Sequence, residues 1–149
     1  MVTKEQTYGK WKMITCSAWK NSVNASTGGI GMLVSSTAYN ALALGVEKIS
    51  RRIMVTTFNG NLQTTVICCY SPTNVSDEAE VEEFYADLSS VTRQVPKHNI
   101  LIIGGDFNAH LGRKDGFKYA YHTTTNRNGI MLKNFLLENN LLCLNTKFQ

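Results

Sequence analysis

The chain has 149 residues, of which 43% are hydrophobic and 17% are charged. This composition supports a sizeable core in one domain and excludes a disordered tail, a collagen-like array and a coiled coil. The net charge of +4 permits a polyanionic partner but does not require one. The apolar runs are too short to span a membrane, and the first residues do not resemble a secretory signal. We therefore expect an intracellular protein with no membrane partner and no evident protein partner.

The cysteine pattern favours reduced thiols over a zinc site or a disulfide framework. Cys16, Cys68, Cys69 and Cys143 form no C-x-x-C pair. Cys68 and Cys69 are neighbours in a strand-like run, so their side chains are expected on opposite faces, where they are poorly placed to bond each other.

The first half of the chain is predicted to be β-structure. Residues 11–15 and 30–34 are short strand candidates, and residues 52–58 and 62–70 are longer apolar and β-branched runs. Asn59-Gly60 lies between the longer runs and tolerates the positive φ angles of a tight turn. These two runs are therefore predicted to form a hairpin.

The periodicity changes to that of a helix between Asp77 and Pro96. Apolar residues recur there with the spacing of one helix face, namely Val81, Phe84, Tyr85, Leu88 and Val91. Residues 100–103 then form a continuous apolar run before Gly104-Gly105, which is typical of a strand buried on both faces.

A second helix is predicted from near Asn128 to Asn139-Asn140, followed by a last strand at residues 141–145. Its inward-facing residues are expected to be Met131, Leu132, Phe135 and Leu136. A β-rich half followed by alternating helices and strands is typical of an α/β domain in which helices flank a mixed sheet.

A carboxylate and a carboxamide follow the apolar strand in the segment Ile-Ile-Gly-Gly-Asp-Phe-Asn-Ala-His, at residues 102–110. In extended backbone, Asp106 and Asn108 would project together at the carboxyl end of the strand, where open α/β sheets commonly place their sites. An aspartate can deprotonate water, and an asparagine amide can donate to a phosphate oxygen. The same residues are also ordinary turn formers, so both interpretations stay open.

Other candidate residues surround this segment. Tyr70, in Tyr-Ser-Pro-Thr-Asn at residues 70–74, either offers its hydroxyl to a phosphate or anchors a loop. His110 is either a phosphate contact or an inert loop histidine. Two basic groups are either contacts to a nucleic-acid backbone or solvated surface: Arg113, Lys114 and Lys118, and the pair Arg51-Arg52.

Taken in order, these segments resemble the endonuclease/exonuclease/phosphatase superfamily. The Tyr70 segment, a helix containing Phe84-Tyr85, and Gly-Gly-Asp-Phe-Asn-Ala at residues 104–109 carry the resemblance. Further segments narrow it to the endonuclease domain of LINE-type (non-long-terminal-repeat) retrotransposons and the derived craniofacial-development-protein-2-like genes. They are SAWKN at 17–21, GGIG at 28–31, SRRI at 50–53, PKHN at 96–99, TNRNG at 125–129 and NTKFQ at 145–149.

The resemblance implies a four-layered α/β sandwich and a DNA phosphodiesterase that depends on Mg²⁺ or Mn²⁺, and it is compatible with a nuclear location. Asp106 would act as general base or orient the attacking water, and would contribute to the metal site. Asn108 and Tyr70 would contact the same phosphate, so these three side chains are expected to meet. Asn128 would line the groove, although a helix N-cap explains it equally well.

The sequence also departs from the family pattern at both ends. The family's metal-ligating Glu has no equivalent upstream of residues 11–21, where Glu5 is the nearest carboxylate, and the family's later Asp and terminal Asp-His pair have none either. We therefore expect a single, incomplete domain over residues 1–149, truncated at both ends and impaired in hydrolysis. The alternative is a non-catalytic retroelement-derived remnant with at most weak nucleic-acid binding.

Overall fold

The computed structural model describes residues 3–16, 19–20, 26–27 and 29–148. These residues belong to two compact units, Met1–Tyr70 with Val95–Gly105, and Ser71–Gln94 with Asp106–Gln149. The strands are β1 (Thr3–Tyr8), β2 (Trp11–Cys16), β3 (Trp19–Lys20), β4 (Ser26–Thr27), β5 (Ile30–Ser35), β6 (Leu42–Lys48), β7 (Ile53–Phe58), β8 (Thr64–Tyr70) and β9 (Ile100–Asp106). The helices are α1 (Ser36–Asn40), α2 (Glu78–Gln94) and α3 (Arg127–Glu138), with 3₁₀ turns at Arg113–Asp115 and Leu144–Thr146. Most of the SAWKN segment and the first residue of the GGIG segment lie outside the described residues.

Two packed sheets form most of the first unit, in which β3 and β4 also pair as a separate two-stranded sheet. Strands β1, β2 and β5 form an antiparallel sheet, and β6, β7, β8 and β9 form a second sheet in that order. The core between them consists of Ile14, Cys16, Met32 and Val34 from the first sheet and Met54 from the second. Alternate residues of β2 and β5 face this core, as expected for strands with one buried face, and both predicted strands are confirmed.

The hairpin of β7 and β8 is confirmed, but its turn differs from the prediction. The antiparallel register closes at Phe58 opposite Thr64, so the loop contains residues 59–63 instead of a two-residue turn. Asn59 and Gly60 do not adopt positive φ angles. A two-residue turn requires a left-handed backbone conformation at its central residues, and a five-residue loop does not.

Strand β9 runs in the same direction as β8. The Ile100 N–H donates to the Gln63 carbonyl (2.9 Å) before the start of β8, and the Ser71 N–H donates to the Asp106 carbonyl (2.9 Å) just past its end. Two parallel neighbours require a long crossover connection, and residues 71–99, which include α2, provide it.

The prediction that β9 is buried on both faces is wrong. Ile100 and Ile102 are 46% and 50% exposed, whereas Leu101 and Ile103 are half-buried. β9 is the last strand of its sheet among the described strands, and one of its faces is uncovered. A continuous apolar run therefore does not by itself distinguish a two-sided core strand from an edge strand.

The second unit contains α2 and α3. All five apolar residues that predicted α2 are buried in its structure. On α3, Leu132 and Phe135 are buried and Met131 and Leu136 are half-buried, so the predicted inward face is confirmed. The rings of Tyr85 and Phe135 pack with centroids 5.9 Å apart and join the two helices.

The predicted strand at residues 141–145 is wrong. Asn140 takes a left-handed φ of 54° after α3, and the Leu141 N–H returns to the Leu136 carbonyl (2.8 Å). The Thr146 hydroxyl and N–H both donate to the Cys143 carbonyl, which fixes a 3₁₀ turn in place of extended backbone. A strand requires a neighbour's backbone groups, and residues 141–145 pair with none of the described strands.

None of the four cysteines, all of which lie in the described residues, takes part in a disulfide, in agreement with the expectation of reduced thiols. Cys16 and Cys69 are buried, and burial raises the pKa of the half-buried Cys68. No α-helix among the described residues has both the length and the apolar content needed to cross a lipid bilayer.

Candidate functional site

The end of β9 lies against the backbone of β8. A Cβ atom placed on Gly105 would be 1.8 Å from the Cys69 carbonyl oxygen, whereas one placed on Gly104 would meet open space. Glycine at position 105 is therefore required for the pairing of these strands, and position 104 has no such constraint.

Asp106 and Asn108 form a tight corner directly after β9. The expectation of extended backbone through Asn108 is not met, because its φ is 46°, in the left-handed region that asparagine tolerates better than most residues. The two residues are linked instead by a hydrogen bond, since the Asn108 N–H donates to Asp106 Oδ1 (2.8 Å). An aspartate that accepts from the backbone two residues later is a common way to close a turn.

The corner is tied to the loop after β8. The Ser71 N–H donates to the Asp106 carbonyl (2.9 Å), and the Asn108 Nδ2 donates to the Ser71 carbonyl (2.9 Å). Ser71 is fully buried, Asn108 is half-buried and Asp106 is exposed. The backbone around the carboxylate is thus fixed while the carboxylate itself is open to solvent.

Asn128 connects three segments of the second unit. Its Nδ2 donates to the carbonyls of Pro72 (3.0 Å) and Asn108 (3.2 Å), which uses both amide protons. Its backbone N–H donates to Asn74 Oδ1 (3.3 Å). Asn128 is completely buried, so it holds the corner and the loop after β8 against the start of α3.

The N-cap interpretation of Asn128 is wrong. Asn126 is the N-cap of α3, because its side chain accepts from the Gly129 N–H (2.8 Å) and its φ and ψ are extended. Asn128 lies four residues before Leu132 and seven before Phe135, and so faces inward with them. The spacing of Asn128 relative to these two apolar residues is the feature of the sequence that could have indicated a buried polar side chain.

Tyr70 belongs to the first unit, where Arg52 holds it. Arg52 Nη1 donates to the Tyr70 carbonyl (3.2 Å), and the guanidinium carbon lies 5.6 Å from the centroid of the tyrosine ring. A cation in this position is attracted by the ring face. The sequence placed Arg52 with Arg51 in a basic pair, either a contact to a nucleic-acid backbone or solvated surface, and carried no signal for this contact with Tyr70.

His110 lies in the second unit beyond the corner, and its ring is exposed. Its carbonyl accepts the Asn126 N–H (3.2 Å) and its N–H donates to Asn126 Oδ1 (3.0 Å). Its ring stacks on His122, with centroids 3.6 Å apart and planes inclined by 12°. The sequence did not indicate this partner, because it lies twelve residues away across a loop.

Comparison with known proteins places the chain in a family. A family model described as endonuclease-reverse transcriptase matches residues 64–149, more than half of the chain. The chain belongs to the endonuclease/exonuclease/phosphatase superfamily. The match includes the loop after β8, the Asp106–Asn108 corner and α3.

Two curated proteins extend the match toward the N-terminus. The chain is 33% identical to craniofacial development protein 2 from Bos taurus over 125 residues, which cover 81% of the chain and 21% of that protein. It is 32% identical to the protein of the same name from Tragulus javanicus over 125 residues, covering 81% of the chain and 22% of the relative. The chain therefore spans about a fifth of the length of these relatives. No solved structure matches the chain significantly.

The superfamily resemblance implies a divalent metal, which requires a group of ligand side chains. No three His, Cys, Asp or Glu side chains come together as a ligand group within the described residues. Mg²⁺ is held by oxygen ligands, usually one or two carboxylates with phosphate oxygens and water. Asp106 would be one such carboxylate, while Glu5, in the first unit, accepts the hydroxyl of Tyr39 (2.9 Å). The described residues do not by themselves form the implied ligand set.

Proposed function

We propose that this chain carries the phosphate-binding corner of a Mg²⁺-dependent endonuclease domain that acts on DNA. The observation that supports this most strongly is the Asp106–Asn108 corner, where a solvent-exposed carboxylate stands on a backbone fixed by hydrogen bonds. Membership of the endonuclease/exonuclease/phosphatase superfamily supports the class of reaction.

Asp106 is suited to activate the attacking water. Its Oδ1 accepts the Asn108 N–H, and this bond fixes the plane of the carboxylate. Its Oδ2 makes no hydrogen bond to any described residue, so it remains available to accept a proton from water. A positioned general base of this kind contributes roughly 10²- to 10⁴-fold to a rate.

Asn108 is suited to stabilise charge on the phosphate. One of its two amide protons is donated to the Ser71 carbonyl, which leaves the second for a non-bridging phosphate oxygen. Because Asn128 and Ser71 hold this residue in place, the donor is oriented before the substrate arrives. A hydrogen-bond donor that is already oriented stabilises the charge of the transition state better than one that must first reorganise.

Nicking of supercoiled plasmid tests this proposal. The wild-type chain is expected to nick slowly with Mg²⁺ or Mn²⁺ and not in EDTA. Asp106→Asn retains an oxygen that can accept the Asn108 N–H but removes the base, so nicking should fall at least about 100-fold. Asp87→Asn, on the half-buried flank of α2, is the matched control and should nick at the wild-type rate.

Two results would reject the proposal. If the Asp106→Asn variant nicks at the wild-type rate, Asp106 is not the general base. Absence of nicking by the folded wild-type chain with either metal would support the alternative of a non-catalytic remnant.

We also propose that the chain derives from a retrotransposon. The family description, endonuclease-reverse transcriptase, supports this origin. A reverse-transcriptase reading frame in the flanking genomic DNA is the expected finding, and flanks without one at any recovered locus would contradict it.

A further inference from the structure

The loop between the corner and α3 carries exposed aromatic rings and several cations, and the Lys118 Nζ lies 5.0 Å from the centroid of the Tyr119 ring. Tyr121 is 89% exposed, and Tyr119 is also exposed. Arg113, Lys114 and Lys118 are exposed cations in the same loop, against the single carboxylate Asp115. A ring this exposed gains little from burial on folding, so its contribution to the fold is small.

Three rings of this region pack in series, and we call His110, Tyr121 and His122 the ring cluster. His110 and His122 are stacked face to face, and Tyr121 meets His122 edge-on with centroids 5.2 Å apart and planes inclined by 89°. The contact with His122 positions the ring of Tyr121, while most of the surface of Tyr121 faces solvent.

The base of the loop is held by hydrogen bonds. The Arg113 and Lys114 N–H groups donate to the carbonyls of His122 (3.0 Å) and Thr123 (3.1 Å). The Arg113 guanidinium donates to the Ala120 carbonyl (3.3 Å), and the Thr125 hydroxyl donates to Asp115 Oδ2 (2.6 Å). The bond from the Thr125 hydroxyl is the main reason why the pKa of Asp115 lies below its ordinary value. A loop fixed in this way loses little conformational entropy when a ligand binds.

We infer that this loop binds unpaired nucleotides of single-stranded DNA, with a base stacked on Tyr121 of the ring cluster and phosphates beside Lys114 and Lys118. The inference rests on the proposed function for the identity of the ligand, a DNA strand, and adds a binding surface distinct from the Asp106–Asn108 corner. Aromatic rings beside cations are the combination with which proteins hold single strands without sequence preference.

The exposed ring is the reason to prefer a single strand to a duplex. In a duplex, each base is stacked between its neighbours, so its face is not accessible to a side chain. Phosphates of both forms attract lysine, and those of the duplex more strongly because its charge density is higher, so the cations alone would not favour a single strand. The ring therefore adds affinity only for unpaired bases.

Fluorescence anisotropy in EDTA tests the inference on the whole chain without cleavage. The probes are a labelled oligothymidylate and a labelled duplex of the same length. Tyr121→Ala should weaken single-strand binding at least about fivefold, because one stacked base contributes at least that much, and should leave duplex binding unchanged. Tyr121→Phe should restore binding, since it keeps the ring.

Tyr8→Ala is the matched control, because Tyr8 is an exposed tyrosine (54%) on β1 of the first unit. It should bind both probes like the wild type. Thermal unfolding of each variant should show a midpoint close to that of the wild type, since Tyr121 and Tyr8 are both exposed.

Salt dependence tests the cations separately. Lys118→Gln should reduce the slope of log K against log salt by about 0.7 for the single strand, the value for one lost phosphate contact. Lys97→Gln, an exposed lysine of the first unit, should leave the slope unchanged.

The inference is overturned if the wild-type chain binds neither probe, if Tyr121→Ala does not weaken single-strand binding, or if it weakens both probes equally. These outcomes are distinct from failure of the proposed function, which is measured by nicking and by Asp106→Asn. Binding that depends on Tyr121 in a chain that never nicks would retain this inference and reject the proposed nuclease.

Discussion

The Asp106–Asn108 corner and the 113–122 loop lie in the same unit and use polar residues in opposite ways. At the corner, side-chain amides bond to buried carbonyls, and one carboxylate remains exposed. In the loop, most of the hydrogen bonds join backbone groups, and Tyr121, Lys114 and Lys118 face solvent. Polar side chains bonded to backbone fix geometry, whereas those facing solvent are available for a ligand. The first arrangement suits chemistry, and the second suits capture of a charged chain.

The largest expected effect concerns the strand that leads into the corner. Gly105→Ala would place a Cβ atom 1.8 Å from the Cys69 carbonyl oxygen, and neither backbone can move without breaking the pairing. We expect a loss of more than about 3 kcal/mol in the free energy of unfolding, measured by urea denaturation. Gly104→Ala, where the added atom meets open space, is the matched control. Equal stability of the two variants would contradict the close approach of β8 and β9.

The next effect tests whether the corner depends on its buried amide. Asn128→Ala leaves the carbonyls of Pro72 and Asn108 without this donor in a buried setting, so unfolding should require about 2–3 kcal/mol less. Asn134→Ala, on the exposed side of α3, should change stability by less than about 0.5 kcal/mol. If both variants unfold alike in urea, Asn128 does not hold these segments together.

The smallest effect concerns pH at the base of the loop. Thr125→Val removes the hydroxyl that lowers the pKa of Asp115, so this pKa should rise toward its ordinary value in an NMR titration. A carboxylate with a lowered folded pKa adds stability above its unfolded pKa and loses it as the pH falls through the folded pKa. The wild-type loop should therefore keep its amide dispersion to lower pH than the variant. If Asp115 has the same pKa in the wild type and in Thr125→Val, the Thr125 hydroxyl does not donate to Asp115.

The sequence predicted the helices and strands whose apolar residues follow a clear local pattern. The helix period predicted α2 and α3, and short apolar or β-branched runs predicted β2, β5, β7 and β8. It did not predict β1, because the residues Thr-Lys-Glu-Gln-Thr-Tyr are mostly polar and show no apolar strand pattern, although they pair with β2 along their whole length. The apolar residues of β9 and of the 141–145 segment were misassigned because burial depends on neighbours that a local pattern does not specify.

In the candidate site, the sequence likewise identified residues, and the structure was needed for their contacts. The identity of Asp106 and Asn108 came from the motif and its resemblance, and their linkage came from the structure. Asn128 was noticed in the sequence, but its role required knowing that Pro72 and Asn108 lie beside it. Arg52 beneath Tyr70, and His122 against His110, had no sequence signal, because both contacts bridge residues distant in the chain.

Binding of a DNA phosphate at the Asp106–Asn108 corner can be followed by NMR of the side-chain amides. In EDTA, titration of the ¹⁵N-labelled chain with a short DNA should shift the Asn108 Nδ2 signals, because one of its amide protons remains free for a phosphate. The Asn128 Nδ2 signals serve as the internal control, since both amide protons are bonded inside the protein. Saturated DNA binding that leaves the Asn108 signals unmoved would contradict the account.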